Sequence, residues 1–238
     1  MTEPNDVTKQ ALASGEPTFR KVGVGPWSEE HPGQARPDDP TSVLFDPRMD
    51  TQLLDEGDTR NVLDRYRYWT VEAIKHDLDV KGRHQFQVAV ENWTHDFNIG
   101  SIVRTANAFT AATVHIVGPH KWNRKGALMT ELYQHVEHHP SIEELVTTIR
   151  SQDAESGETT RIIAIDNVPG SVPIETYRFP ERCLMIFGAE GPGLSAKALE
   201  LADDVVYISQ FGSVRSINAG AAAAVSMHAW VAQHAVIE

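Results

Sequence analysis

The segment MIFGAEGPGLS (residues 185–195) changes character twice along its length. It begins in the apolar run CLMIF (183–187), continues through three glycines and a proline, and ends at Ser195, before residues with helical spacing. A short apolar run bounded by turn residues favours a buried strand, and glycines allow tight turns and close backbone approach to a ligand. We therefore predict a strand, a tight loop and a helix in succession, with Ser195 as the N-cap of the helix.

The same alternation continues on both sides of this segment. Four further apolar runs are QVAV (87–90), TVHIV (113–117), RIIAI (161–165) and VVYIS (205–209). Helical spacing is found in NIGSIVRTANAF (98–109), SIEELVTTIR (141–150), SAKALELA (195–202) and an Ala-rich stretch from 216 to 233. Such alternation is typical of an α/β domain with a largely parallel sheet and helices on both faces. We place this domain at residues 86–238.

The N-terminal part of the chain has a different composition. Residues 1–58 are rich in Pro, Gly and acidic side chains and have no sustained apolar period, so we expect a poorly ordered acidic extension. From Thr59 apolar side chains recur at helical intervals, which predicts an amphipathic helix that ends near Gly82. Residues 59–85 are therefore expected to form this helix and a linker.

The net charge does not favour binding to nucleic acid. The chain of 238 residues has a formal charge of −12, and residues 1–58 contribute 12 acidic and 5 basic side chains to it. A negative field repels phosphate, so RNA binding would need a local basic patch. The best candidate is the loop HKWNRK (120–125), which offers cations for phosphates and an aromatic ring for base stacking: Lys121, Trp122, Arg124 and Lys125. A merely solvated loop is the alternative.

Cysteine and histidine content argue against a disulfide framework and a metal site. The single cysteine, Cys183, lies in an apolar run and is expected to be a buried, inert thiol. His135, His138 and His139 lack a further ligand set at the spacing usual for zinc, so we expect a surface histidine cluster and no metal. The longest apolar stretch is far shorter than the roughly 20 residues that span a bilayer, so we expect a cytoplasmic protein without membrane association.

Three segments carry the strongest functional signal. They are NWTHDFNIGSIVRTANAF (92–109), MIFGAEGPGLS (185–195) and YISQFGSVRSINAGAAAA (207–224). Each begins just after an apolar strand or at its end, which is where open α/β sheets bind their ligands. In this order the segments resemble the three signature motifs of the SpoU/TrmH methyltransferases of the SPOUT superfamily. The resemblance extends over about residues 86–236.

This resemblance implies both a fold and an activity. The family folds as an α/β trefoil knot near its C-terminus, although knots are very rare among proteins. It binds S-adenosyl-L-methionine (AdoMet), forms homodimers and methylates a ribose 2′-hydroxyl of structured RNA, either tRNA or rRNA. Two other functions remain open for this chain. They are a catalytically silent RNA-binding or ribosome-assembly factor of the same fold, and an RNA base methyltransferase.

The resemblance also assigns site residues. The catalytic group would be Asn98, Arg104, Glu190, Ser216 and Asn218. The cofactor would contact Gly188, Gly191, Ile208, Gln210 and Ile217. The chain departs from the family pattern at Ser209 and Gln210, where Pro-Met is usual, which predicts a less rigid loop and puts cofactor affinity in question.

The chemistry of two of these residues can be considered without the resemblance. Asn98 suits a helix N-cap as well as a substrate contact. Arg104 projects away from the apolar stripe of its helix, so it is free to face an anionic ligand. Since a guanidinium is normally always protonated, we expect Arg104 to grip a phosphate and stabilise a developing alkoxide rather than act as a base.

Overall fold

The structure is a computed structural model, and it describes residues 5–15, 22–93, 98–189 and 191–236. The chain divides into two compact units, Met1–Thr70 and Val71–Glu238. The first unit contains helices α1 (Asp6–Ala13), α2 (Trp27–Glu30) and α3 (Thr51–Glu56), and a 3₁₀ turn at Asp64–Tyr66.

A buried carboxylate organises the first unit. The side chain of Asp58 is fully buried and pairs with the Arg60 guanidinium at 2.7 Å. It also accepts a 3.0 Å hydrogen bond from the backbone amide of Tyr68. Burial alone would raise the pKa of Asp58, but these hydrogen bonds lower it. The ionised carboxylate therefore holds the backbone around residue 68 in place.

The helix predicted from Thr59 to Gly82 is shorter in the structure. Helix α4 begins only at Val71 and ends at Lys81. Tyr68 has a positive φ of 63°, which interrupts a right-handed helix, and its hydrogen bond to Asp58 fixes this conformation. The hydrogen bond between Tyr68 and Asp58 therefore prevents the helix that the apolar spacing from Thr59 predicted.

The predicted boundary at residue 58 also differs from the division of the structure at residue 70. The first unit has a small apolar core, which consists of Leu54, Tyr66, Tyr68 and Trp69. The described part of the segment expected to be a poorly ordered extension thus contributes to this core through Leu54.

The second unit is built on a seven-stranded sheet. Its strands are β1 (Phe86–Glu91), β2 (Val114–Val117), β3 (Val136–His139), β4 (Arg161–Ile165), β5 (Val172–Pro173), β6 (Cys183–Phe187) and β7 (Asp204–Tyr207). Their order is β3-β2-β1-β6-β4-β7-β5, and every pairing is parallel. The prediction of a parallel α/β sheet is confirmed.

Helices cover both faces of this sheet, as predicted. They are α5 (Ile99–Ala108), α6 (Ile142–Ser156), α7 (Ala196–Leu201) and α8 (Ala219–His234). Apolar side chains of α5 and α8 pack on one face, and those of α6 and α7 pack on the other. Cys183 is buried in the first of these cores, and burial raises the pKa of its thiol to about 12, so this cysteine is inert as expected.

The five predicted strands are present, whereas β3 and β5 were not predicted. Strand β3 reads VEHH and has too few apolar side chains to show a buried run, because it forms the edge of the sheet. Strand β5 comprises only two residues. The trefoil knot stays a prediction of the resemblance. Within the described ranges, no helix has both the length and the apolar character needed to cross a bilayer.

Candidate active site

The carboxyl ends of β4, β6 and β7 open onto one cavity of about 630 Å³. The first residues of α8 and the loop before it complete the wall. Many of the site residues proposed from the sequence line this cavity: Gly188, Gly191, Ile208, Gln210, Ser216, Ile217 and Asn218. The second and third motifs therefore meet at one place, at the edge of the sheet where a ligand site was expected.

The loop after β6 folds back on itself at Gly188. A Cβ atom at this position would lie 2.1 Å from the carbonyl carbon of Gly193 and 2.3 Å from the amide nitrogen of Leu194. The Gly193 amide donates a 3.0 Å hydrogen bond to the carbonyl of Ala189, which closes the loop. Gly188 is thus required by the backbone of its own loop, independently of any ligand.

Two carboxylates hold this loop, and neither was among the predicted site residues. Glu91 is fully buried, and its Oε2 accepts a 2.7 Å hydrogen bond from the amide of Ser195. Its Oε1 accepts a 3.0 Å hydrogen bond from the indole nitrogen of Trp93. Asp166 Oδ2 accepts a 3.2 Å hydrogen bond from the amide of Leu194. The C-terminal half of the loop is therefore fixed by charge-assisted hydrogen bonds.

The sequence contained a signal for both carboxylates. Glu91 ends β1 and Asp166 directly follows β4, and these two strands flank β6 in the sheet. A carboxylate at the carboxyl end of each neighbouring strand is well placed to accept hydrogen bonds from the backbone amides of the loop that follows β6. The predicted capping role of Ser195 is confirmed, because its side chain accepts a hydrogen bond from the amide of Ala198 at 3.1 Å.

The loop after β7 is anchored where the family pattern is broken. The amide and hydroxyl of Ser209 both donate to the carboxylate of Glu175, at 3.3 and 2.9 Å. Hydrogen bonds from its own backbone and from Ser209 lower the pKa of Glu175, so the anchor is ionised at neutral pH. These hydrogen bonds to the Glu175 carboxylate restrain the loop at the position where the family pattern usually has a proline.

Gln210, which lines the cavity, carries a buried acceptor. Its amide nitrogen donates to the carbonyl of Arg215 at 3.3 Å. Its Oε1 is buried and has no hydrogen-bond partner within the described part of the chain. A buried acceptor without a partner is costly, so a ligand that donates a hydrogen bond here would be favoured.

The first motif is joined to the third by a pair of asparagines. Asn218 Nδ2 donates to Asn98 Oδ1 at 2.8 Å, and Asn218 Oδ1 caps α8 by accepting from the Ala221 amide at 3.1 Å. The backbones are also close, since a Cβ atom on Gly220 would lie 2.8 Å from the Ser101 hydroxyl. The start of α5 therefore lies against the start of α8, at the edge of the cavity.

Asn98 occupies the N-cap position of α5 without a side-chain capping hydrogen bond. Its amide oxygen instead accepts the hydrogen bond from Asn218, so the structure does not support the capping interpretation. Arg104 lies on the exposed face of α5 and makes no ion pair with the residues that the structure describes. It does not line the cavity, but it lies one turn beyond Ser101 on the same helix. Glu190 lies outside the described residues.

The basic loop has the exposure expected of an RNA contact. Lys121, Arg124 and Lys125 are exposed, and the Arg124 guanidinium lies 5.9 Å from the ring centre of Trp122. Trp122 itself is partly buried against the apolar core. The cations are therefore available to phosphates, whereas only part of the indole can stack on a base.

This loop is also close to the first motif. The 3₁₀ turn Arg124–Ala127 packs on α5, and a Cβ atom at Gly100 would lie 2.8 Å from the Cα of Gly126. The fold thus places the basic loop beside the start of α5. Asn98 directly precedes this helix, and Arg104 lies within it. The predicted RNA contacts therefore lie next to the helix that carries Arg104.

We predict that Gly188→Ala destabilises the protein, because the new Cβ would overlap the backbone of the loop. Overpacking of this kind costs about 1–3 kcal/mol in free energy of unfolding. Gly212→Ala is the matched control, since no atom lies within 4 Å of its Cβ position. Urea unfolding curves of both variants check this expectation, and equal midpoints would contradict it.

Comparison with known proteins identifies the family. The model of the SpoU rRNA Methylase family matches residues 85–228, which is more than half of the chain. The tRNA (guanosine(18)-2′-O)-methyltransferase of Escherichia coli strain K12 is 26% identical over 59% of this chain and 60% of its own length. The enzyme of the same name from Thermus thermophilus is 30% identical over 58% of this chain and 70% of its own length.

Solved structures agree with this. The SpoU methyltransferase AviRb from Streptomyces viridochromogenes, crystallised with AdoMet, is 26% identical with a TM-score of 0.57, and the match covers 63% of this chain and 58% of AviRb. The TrmH/SpoU tRNA modifying enzyme of A. aeolicus is 18% identical with a TM-score of 0.59 over 68% of this chain and 81% of that enzyme, which supports the fold alone. The chain spans only 8% of a mouse relative and 60% of the E. coli one. By its motifs, its sheet and its match over residues 85–228, this chain belongs to the SpoU rRNA Methylase family.

Proposed function

We propose that this protein transfers a methyl group from AdoMet to a ribose 2′-hydroxyl of structured RNA, either tRNA or rRNA. The observation that carries the proposal is the hydrogen bond between Asn98 and Asn218 at the edge of the 630 Å³ cavity. It joins the motif that carries Arg104 to the third motif, which also supplies predicted cofactor contacts. The two relatives above are named as tRNA ribose methyltransferases, which supports this choice of reaction.

The cavity fits AdoMet in size and in chemistry. A volume of about 630 Å³ is ordinary for a pocket that binds a cofactor. Ile208 and Ile217 offer apolar surface to an adenosyl group, and the loop from Gly188 to Gly193 offers backbone groups. The amino groups of AdoMet are donors of the kind that the buried Gln210 Oε1 requires. When bound, AdoMet supplies an activated methyl group on a sulfonium. The bond from carbon to the 2′-oxygen would form as the bond from carbon to sulfur breaks, S-adenosylhomocysteine would leave, and the hydroxyl proton would pass to water.

The residues of the chain must orient the ribose hydroxyl and make it more nucleophilic. The guanidinium of Arg104 binds the phosphate beside the target ribose and stabilises the developing negative charge on the 2′-oxygen. Asn98, Asn218 and Ser216 orient the hydroxyl, and by the family resemblance Glu190 belongs to the same group. Holding both reactants in line supplies a large share of the rate, up to about 7–11 kcal/mol for well-oriented groups.

A homodimer and a cytoplasmic location complete the proposal. The loop beside the cavity has apolar side chains with high exposure, which are Phe211 at 98% and Val214 at 65%. Adjacent exposed apolar side chains favour burial against a partner. A second copy of this chain is the partner that the family resemblance implies.

We predict that Arg104→Ala lowers kcat for methyl transfer by about 100-fold or more, because a charge that stabilises the transition state is lost. The affinity for AdoMet should stay close to that of the unchanged chain, since Arg104 does not line the cavity. Labelled-methyl transfer to total RNA measures the rate, and calorimetry measures the affinity. Arg178→Ala, at another exposed arginine of this unit, is the control.

Turnover of Arg104→Ala equal to that of the control would contradict the catalytic assignment. If the wild-type protein binds RNA but binds neither AdoMet nor S-adenosylhomocysteine, the result would instead support a catalytically silent RNA-binding factor. Transfer to fractionated RNA also tells tRNA from rRNA as the substrate.

Replacing Lys121, Arg124 and Lys125 together by alanine is expected to raise the KM for RNA more than it lowers kcat. Contacts to phosphates are made equally in the ground state and the transition state. The slope of log KM against log salt concentration should fall by about two, because fewer counterions are released. Lys197→Ala on α7 is the control, and a loss confined to kcat would refute this RNA path.

Light scattering is expected to give a particle of twice the 26.4 kDa chain mass. Phe211→Asp should shift it towards the monomer, because a charge cannot be buried in an apolar contact without cost. Val43→Asp is a matched control, since Val43 is 97% exposed in the first unit. If the wild-type protein is a monomer at micromolar concentration, the proposed dimer is contradicted.

A further inference from the structure

Three ligand-type side chains meet on the face of the sheet that α6 covers. His115 lies on β2, and Glu137 and His139 lie on β3. The parallel register pairs His115 with Glu137, and residues two apart on a strand share a face. His115 and His139 are 2% and 6% exposed. The expectation of a surface histidine cluster is therefore wrong for His139, because the fold brings it beside a histidine far away in the sequence.

The other two histidines of the expected cluster do not take part. His135 pairs with Asp79 at 2.9 Å. His138 is exposed, and the alternation of the strand turns its side chain to the opposite face. The relevant group could not be found from the spacing along HVEHH, because one of its members is supplied by β2.

The three ligand atoms form a small triangle. His115 Nδ1 lies 3.0 Å from His139 Nε2 and 3.6 Å from Glu137 Oε2. His139 Nε2 lies 3.8 Å from Glu137 Oε2. A point about 2.0 Å from each of the three atoms exists inside this triangle, which is the distance at which zinc binds imidazole and carboxylate. The spacing of the three atoms therefore matches that of ligands around one ion.

The outer nitrogen of each imidazole is held by a hydrogen-bond acceptor. His139 Nδ1 lies 2.5 Å from Glu144 Oε2, at the start of α6, and His115 Nε2 lies 2.8 Å from Gln87 Oε1. An ionised carboxylate only accepts, so His139 Nδ1 carries a proton, and in the neutral ring Nε2 then presents a lone pair. The Gln87 oxygen has the same effect on His115. Two lone pairs then face each other at 3.0 Å, an arrangement that a cation stabilises.

Metal-binding histidines commonly have this kind of outer partner, which orients the ring and makes it a better ligand. Glu137 is half exposed, so the triangle has access to water and a fourth coordination position can remain open. We propose that His115, Glu137 and His139 bind one divalent first-row transition metal ion, of which Zn²⁺ is the probe. The ion would clip the edge strand β3 to β2. This site is independent of the proposed methyl transfer, since its residues do not line the cavity.

The competing arrangement is a chain of hydrogen bonds without a metal. If the Gln87 amide is turned over, its NH₂ donates to His115 Nε2, and His115 Nδ1 donates to His139 Nε2. Every polar atom of the two rings is then satisfied by the protein alone. The two arrangements differ in metal affinity, which makes them distinguishable by experiment.

The test is calorimetric titration of the chelator-treated full-length chain with ZnCl₂, together with metal analysis after desalting. We expect one ion per chain, and a thermal midpoint that rises with Zn²⁺ because only the folded chain has the site. Glu137→Gln should weaken binding at least about tenfold, and His139→Ala should abolish it. His138→Ala on the opposite face of β3 is the control, and its affinity should be unchanged.

Glu137→Gln removes a half-exposed charge without changing shape, so it keeps the test decisive if His139→Ala does not fold. Absorption of the Co²⁺-substituted chain should show the intense visible bands of a four-coordinate ion. A folded chain that binds no Zn²⁺, or one whose affinity falls as much in His138→Ala as in Glu137→Gln, would overturn the proposal. The first result would favour the hydrogen-bonded chain, and the second would indicate adventitious surface binding.

Discussion

The site depends on how tightly the loop from Gly188 to Ser195 can fold at the end of β6. The backbone closes only because residue 188 has no side chain, and it stays closed because carboxylates from β1 and from the end of β4 accept its amides. The Glu91 carboxylate accepts a hydrogen bond from the amide of Ser195, and the Ser195 side chain in turn caps α7. Strand pairing, loop closure and the start of the next helix are thus parts of one hydrogen-bonded unit, and the cavity is the space it encloses with the loop after β7.

Much of this could be predicted from the sequence, because it follows from local patterns. Short apolar runs with helical segments between them specified five strands and the parallel sheet, and Ser195 was recognisable as a cap. The cofactor-site residues were assigned by the family resemblance, and the fold places them around one cavity because parallel strands bring their carboxyl ends together. The same rule would also have identified Glu91 and Asp166 had strand-end carboxylates been considered.

The features that escaped prediction depend on tertiary contacts. The helix expected from Thr59 starts only at Val71, since the buried Asp58 holds Tyr68 in a left-handed conformation. The pairing of His115 with His139 requires knowing that β3 exists and how it registers with β2. An edge strand with polar side chains gives no apolar signal, so its contribution to the molecule becomes visible only in the folded chain.

The chemical position of the methyl group tests the proposed function most directly. RNA is incubated with the protein and AdoMet labelled in its methyl group, and it is then hydrolysed with alkali. A methylated 2′-oxygen cannot attack the neighbouring phosphate, so we predict that the label appears in alkali-resistant dinucleotides. Label recovered only in mononucleotides that carry methylated bases would contradict ribose methylation and would make the protein an RNA base methyltransferase.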